Sequence, residues 1–436
     1  MQKKNKQQNS TFIDLENLGI DNVILLNDIS SGLVEEFNKL PEQIFNVSNK
    51  SIALLFTTVF SRNYYQSNLF LYCCYLVLLD KILSNNQNIK KIIVPSKAFK
   101  KVLKEYLLYN PNRIIIEDSS RRNFKLRLKN FLWINFGLFS AIKYCIKLFV
   151  TKNTSRTKKI ISKPCVKLID TYILQNSIDK GIYIERNYPG IFNYIKDEHK
   201  SSIFFAPQIV ARYNSKDLQM IYDSSTENII FKQDFLKIQD YIYSLISITK
   251  IGNISKQPII FKKFNISPLI KHELALKKYT KTISALLNFH FIKRLKNKKT
   301  NLKSVINWFE NQNTDKGFNL GINTFYPKIS HVGYMGFNFT NNFIFYALPT
   351  KFEIDQNLVP KTLAVIGDSY KKYLSNLNLV VLGGFRFADL WNTQNSKSSK
   401  TIPVNKIIMV VLPLDLDEVI ETLEFLIDNI NKLKCD

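Results

Sequence analysis

Short β-branched runs separated by longer helical stretches predict an α/β protein built from βαβ units on a parallel sheet. Two runs are the clearest: KIIVP at Lys91–Pro95 and RIIIE at Arg113–Glu117, with a helical pattern over Lys97–Leu108 between them. The block from Asn307 to Phe337 repeats the logic as strand, polar loop, helix and strand. At 436 residues, 45% of them hydrophobic, the chain has material for two or three domains and is not wholly disordered. Its 13 Gly and 13 Pro exclude a repetitive or collagen-like chain. No GxGxxG or GxxxxGK[ST] stands at a strand-to-helix turn, which removes the main support for dinucleotide and P-loop readings.

Along the chain, residues 1–20 read as a loose tail, basic and polar, with no apolar signal core behind it, so the protein is not expected to be secreted. Residues 21–390 read as one Rossmann-like domain. In it Asn22–Asn27 (NVILLN) and Ile52–Thr57 (IALLFT) are expected to be buried strands, and Tyr65–Leu83 a helix. Residues 121–160 interrupt the pattern: basic residues flank Phe131–Val150, an apolar run about long enough to span a bilayer. Lys143 and Lys147, four apart, share one face of that helix. This composition suits a helix lying at a membrane interface, where anionic lipid attracts each well-placed charge by roughly 1 kcal/mol. A core helix with basic connectors is the other reading, and a true span a third.

The α/β signal then resumes, with strands expected at Val166–Tyr172 and Ile203–Pro207 and helices at Phe235–Ile248 and Pro268–Lys296. The basic run from Lys293 to Lys299 fits the negative end of a helix dipole. Beyond the central block come a strand at Thr362–Ile366, a helix from Asp368 and a strand at Leu379–Leu382. A polar linker at 391–403 leads to residues 404–436, a buried strand (Lys406–Leu412) and an amphipathic helix (Leu416–Leu433). That is one βα unit, read as the start of a second, truncated Rossmann-like domain.

The formal net charge of +26 favours anionic partners: nucleic acid, acidic lipid or sugar phosphates. The abundance of Lys, Asn and Ile fits compositional drift equally well. Without an RNP-type aromatic pattern, zinc fingers or a dedicated basic domain, no nucleic-acid partner is expected. The five cysteines form no CxxC or Cys/His cluster and read as reduced thiols in a cytosolic compartment. The four histidines show no ligand spacing, so no metal site is expected. His331 opens a strand and reads as structural.

Ligands of open α/β sheets bind at the carboxyl ends of strands. Glu310 stands at such an end, followed by Asn311, Gln312 and Asp315. Glu310 is therefore the candidate general base, with Asn311 and Gln312 orienting a hydroxyl. Asp315 belongs to that group or caps the following helix. Asp170, ending the run Leu168-Ile-Asp-Thr-Tyr172, is the other placed carboxylate, or else a cap. Arg186, before a Tyr188-Pro-Gly turn, and Arg386, after Gly383-Gly384, are planar cations suited to carboxylate or phosphate; Arg186 fits a surface-turn pair with Glu185 equally well.

The run Trp308-Phe-Glu-Asn-Gln312, Asp315-Lys-Gly317, Tyr326-Pro327 and Gly333-Tyr-Met-Gly-Phe337 resembles the bacterial surface carbohydrate biosynthesis family, glycosyltransferases of O-antigen and capsule gene clusters. Leu168-Ile-Asp-Thr-Tyr172, Arg186-Asn-Tyr-Pro-Gly190, Phe385-Arg-Phe387 and Val411-Leu-Pro413 continue the resemblance in order from about residue 165 onward. The family usually has Gln at position 335 and favours Tyr at 187. The resemblance implies a GT-B-like architecture: an acceptor-side domain, then a nucleotide-sugar domain, facing across a cleft. It adds Tyr188 and Tyr334 to the substrate-binding candidates. It also implies a nucleotide-sugar donor, such as a CMP-activated acidic sugar, used without a metal or other cofactor. The acceptor would be a lipid-linked or polysaccharide glycan on the inner face of the cytoplasmic membrane, with the protein peripheral on that anionic surface. Related transferases of acidic sugars carry a His-Pro pair in the donor domain, and this chain has none. The alternative expectation is therefore an inactive remnant that binds glycan or membrane, or half of a split enzyme completed by a separate chain.

Overall fold

The structure is a computed structural model; it describes residues 11–109, 114–119, 124–175, 177–179, 182–210, 213–225, 228–251, 257–276, 279–342, 344–375, 377–387, 410 and 416–429. The chain divides into two compact units, Met1–Ala388 and Asp389–Asp436. In the second the structure describes residue 410 and a helix, Leu416–Asn429; the expected linker, and the expected strand apart from residue 410, lie outside the described residues.

The first unit begins with a three-stranded parallel sheet, β1 (Phe12–Asp14), β2 (Lys91–Val94) and β3 (Ile115–Asp118), in the order β1-β2-β3. Residues 11–20 are thus not a loose tail: Phe12 pairs with Lys91 and Ile13 is buried. Helix α1 (Ile20–Asn38) contains Asn22–Asn27, which was expected to be a strand. Its buried residues are Ile29, Leu33 and Phe37, spaced i, i+4, i+8, while Val23 and Ile24 are exposed. A short apolar run fits either element, and the pattern that decides lies further along the chain.

Ile52–Thr57 is likewise not a strand; Ile52–Leu55 is one helical turn. The carbonyl of Phe56 accepts from Thr282 Oγ1 and Asn313 Nδ2, so neighbouring side chains take the place of a ladder. Helix α2 (Leu69–Asn85) and helix α3 (Lys97–Tyr106) follow. Ser96 caps α3 by accepting from Phe99 N at 3.1 Å, and Phe99, Val102 and Leu103 form its buried stripe. Each of these side chains contributes about 2 kcal/mol through burial.

Helix α4 (Phe124–Val150) leads into the principal sheet. Its first strand is β4 (Val166–Ile173); a small antiparallel hairpin, β5 (Ile178–Asp179) with β6 (Ile182–Tyr183), separates it from β7 (Ile203–Ile209). Helix α5 (Ile238–Thr249), a second hairpin of β8 (Ile260–Phe261) and β9 (Phe264–Asn265), and two helices come next. These are α6 (Ser267–Ala275) and α7 (Tyr279–Asn297), where one helix was expected; residues 277–278 lie outside the described residues. Then come β10 (Leu302–Trp308), helix α8 (Asn313–Phe325), β11 (Ser330–Met335), β12 (Thr362–Val365) and β13 (Asn378–Val381). The stretch from Asp368 is a 3₁₀ turn, Asp368–Tyr373, and not an α-helix.

The sheet has six parallel strands in the order β13-β12-β11-β10-β4-β7. The fold is therefore mixed α/β with parallel sheets, of Rossmann-like kind. Renumbered along the chain, its strands lie 2-1-3-4-5-6, an order that reverses direction between β4 and β10. Alternation along β4 sends Val166 and Leu168 into one core and Ile169 and Ile173 into another, so both faces are covered. On one face α7 and α8 cross so closely that a Cβ at Gly317 would collide with the backbone of Ala285. Helix α4 packs on α7, burying Ala141 and Cys145. Among the described residues no helix is long and apolar enough to cross a membrane.

Candidate functional site

The connections leaving β4 and β10 diverge where the strand order reverses, which opens a crevice at their carboxyl ends. A cleft of about 650 Å³ lies there. Tyr172 and Leu174 enter it from the end of β4, Gln208 and Ile209 from the end of β7, and Trp308, Glu310 and Gln312 from the end of β10. Arg386 comes from the turn after β13.

Glu310 is placed by three neighbours. The indole Nε1–H of Trp308 donates to its Oε1 at 2.7 Å. Its backbone N–H donates to Asp315 Oδ2 at 2.9 Å. Asn311, next in the chain, has φ +56°, a left-handed conformation that Asn tolerates better than most residues. Its buried amide donates to the Tyr346 carbonyl and to Glu353 Oε2 at 3.0 and 3.1 Å. Asn311 therefore holds the loop from beneath and does not line the cleft.

Asp315 is also buried. Its Oδ2 accepts from the Gln312 N–H at 3.0 Å as well as from Glu310, and its Oδ1 accepts from the Tyr172 hydroxyl at 3.0 Å. The N-cap of α8 is Gln312, and Asp315 is the third residue of the helix, where it reaches back to the cap's N–H as the acidic half of a capping box and couples the helix to β4. Burial, with the nearby Glu310 and Asp170 charges, pushes its carboxyl up to about 7, against the pull of the two backbone N–H groups. Gln312 lines the cleft, and its Oε1 accepts from Gln66 Nε2 at 2.9 Å and Asn63 Nδ2 at 3.2 Å.

The other candidates separate. Asp170 is buried and bound to Lys232 Nζ at 2.5 Å; burial raises its pKa, and the ammonium beside it pulls the other way. Lys232 in turn lies over the Phe318 ring, so Asp170 points into the core beneath α8 and not into the cleft. Tyr188 is buried, with its ring packed against Trp308, Tyr334 and Phe385. Tyr334 donates to the Gly383 carbonyl at 2.9 Å and accepts from Phe385 N at 3.0 Å. It thereby pins the turn whose Gly383 has φ +73°. That turn lays the Arg386 guanidinium 4.9 Å from the centre of the Trp308 ring. Arg186 is exposed and does not line the cleft. His331 is buried between Asn307 and Asn323, its nitrogens 3.2 and 3.4 Å from their side-chain oxygens, and is structural.

A second cavity, of about 700 Å³, opens beside Glu185. Both oxygens of that carboxylate are engaged, by Thr171, Tyr183 and the backbone of Asn187. Among the described residues no cluster of three or more His, Cys, Asp or Glu is placed to hold a metal ion.

Sequence reasoning missed Tyr172, Gln208 and Trp308 as wall residues, and Lys281 and Tyr144, which come from α7 and α4. Trp308 was within reach of it, because side chains two apart on an extended segment share a face. Lys281 and Tyr144 carried no such signal. Comparison of the chain with family models, curated proteins and solved structures yields no match.

Proposed function

We propose that this protein is a glycosyltransferase of bacterial surface-glycan assembly, of GT-B type, with the six-stranded sheet as its acceptor-side layer. One observation carries the reading: the Glu310 carboxylate stands in the wall of the switch-point cleft, aimed by the Trp308 N–H. The cleft's composition supports a sugar ligand. The indole of Trp308 and the ring of Tyr172 offer apolar faces for C–H groups, and the amides of Gln66, Asn187, Gln208 and Gln312 offer donors and acceptors for hydroxyls.

In this reading Glu310 takes the proton from an acceptor hydroxyl as its oxygen attacks the anomeric carbon of the donor sugar. The bond from that carbon to the nucleotide phosphate breaks, and the phosphate leaves with the bonding electron pair. Among the described residues Arg386 and Lys281 are cations facing the cleft, and they meet the departing charge in place of a metal ion. The CMP-, UDP- and GDP-sugars are the donors to test, by titration calorimetry with the full chain and by transfer of labelled sugar into a lipid-extractable acceptor. Binding of one nucleotide class, with transfer that Glu310→Gln abolishes, is the expected result. Failure to bind any of the three, or full transfer by Glu310→Gln, overturns the reading.

A further inference from the structure

Helix α4 is apolar on two sides. Its buried side, with Ala141 and Cys145, faces α7. On its outward side Leu138, Phe139, Ile142, Ile146, Phe149 and Val150 are between 38% and 67% exposed. At about 100° per residue these six fall on one continuous arc. An ordinary surface helix turns a polar face outward. The neighbouring helix α5 shows the same inversion: Ile238, Ile242 and Ile246, spaced i, i+4, i+8, are each at least 50% exposed. Both helices pack on α7, and the rings of Phe149 and Tyr241 join them at 6.0 Å. Contiguous exposed apolar surface of this kind marks an interaction site.

The charge around this face identifies its occupant. Lys143 is exposed at the edge of the arc, Lys147 is half-buried one turn further on, and Lys158 and Lys159 are exposed beyond the end of the helix. Helix α4 contains no acidic residue, and the one acid of α5, Asp240, is buried against Arg294. A second copy of the chain would set these lysines against their own kind. Anionic phospholipid complements both the apolar arc and the cationic rim.

We propose that the outward faces of α4 and α5 dock on an anionic lipid bilayer, with the apolar stripes among the acyl chains and Lys143 and Lys147 at the headgroup phosphates. This gives the site a partner only if the transferase reading holds. On α4 the two lysines lie between the apolar arc and Tyr144, and Tyr144 lines the Glu310 cleft. Docked in this way, the cleft opens at headgroup level, where the first sugar of a lipid-linked acceptor sits.

The test is sedimentation of the purified full chain with vesicles of phosphatidylcholine alone and of phosphatidylcholine mixed with phosphatidylglycerol. Binding about tenfold or more tighter to the anionic vesicles, weakened by salt, is expected. The variant Phe139→Ser/Ile142→Ser/Ile146→Ser lowers that binding about tenfold or more, and so does Ile238→Ser/Ile242→Ser/Ile246→Ser on the other helix. Lys143→Glu/Lys147→Glu removes the preference for anionic lipid while leaving the apolar arc intact, so the charge claim stands apart from any folding defect in the serine variants. Equal binding to both vesicle types, no binding, or unchanged binding by the variants overturns the proposal. So does a dimer in solution that the serine variants convert to monomers. The vesicle assay needs neither donor nor acceptor, and Glu310→Gln is expected to bind vesicles as the natural chain does, so failure of the transferase reading shows separately.

Discussion

The indole N–H of Trp308 donates to Glu310 Oε1 over 2.7 Å, so the last side chain of β10 orients the carboxylate that the strand end presents to the cleft. Glu310→Gln keeps the shape and removes the base. Transfer should fall about 10²- to 10⁴-fold with an unchanged melting temperature. Trp308→Phe keeps an aromatic ring and removes the N–H, so kcat should fall about tenfold with a smaller change in KM. Steady-state kinetics on both variants checks the pair.

Arg386 depends on Tyr334, whose hydroxyl bonds both Gly383 and Phe385. Arg386→Gln should raise KM for the donor about tenfold, with the difference shrinking as salt rises. Tyr334→Phe leaves the charge and frees the turn, costing about 1 kcal/mol of stability and part of the same KM effect. Donor titrations at two salt concentrations separate the two variants.

Asp170 and Lys232 form a buried pair, so removing one partner strands the other. Lys232→Met should lower stability by about 3–5 kcal/mol, and Asp170→Asn in the same chain should restore much of it. The double variant should retain transfer activity, since Asp170 faces Lys232 and the core. Urea unfolding and an activity assay on the three proteins decide this.

The crossing of α7 and α8 leaves no room for a methyl group at Gly317. Gly317→Ala should destabilise the protein by about 3 kcal/mol, even though alanine favours helix more than glycine does. The midpoint of urea unfolding measures the loss.

Burial pushes His331 down to about 3 and His290 down to about 4. Their imidazoles stay neutral in the folded protein while the unfolded chain protonates them below about 6.5, so stability is full above that pH and falls as pH drops toward 4 and 3. Burial alone would raise Glu353, but Arg62 and Lys316 outweigh it and hold the carboxyl at about 2. Its contribution is present above about 4.5 and is lost as pH falls through 2. Asp315 acts in the opposite sense: held near 7, it favours the folded state most below about 4, and that contribution disappears as pH rises through 7. Urea midpoints measured from pH 3 to 8 should show His331→Gln flattening the fall on the acid side.

The sequence by itself determined the βαβ rhythm, the strands β2, β3, β4, β7 and β10 to β13, and the place of Glu310 at a strand end. Continuous apolar runs ending in polar loops are local signals, and the change of period from strand to helix at Gln312 is legible in one dimension. Asn22–Asn27 and Ile52–Thr57 defeated that reading because a short apolar run has no period of its own. Whether such a run makes a helical turn or a strand depends on what satisfies its backbone, and for Phe56 the partners come from Thr282 and Asn313. The tertiary structure alone decided the strand order, and with it the position of the cleft, because nothing in the sequence says which strands lie side by side. It also separated two carboxylates that look alike on paper. Glu310 reaches solvent beside an indole, whereas Asp170 meets a lysine sixty-two positions away and is closed into the core. The outward arc of α4 belongs to the same class: the sequence supplied apolar residues on two sides of the helix, with Lys143 and Lys147 on a third, and the packing on α7 chose which apolar side was left exposed.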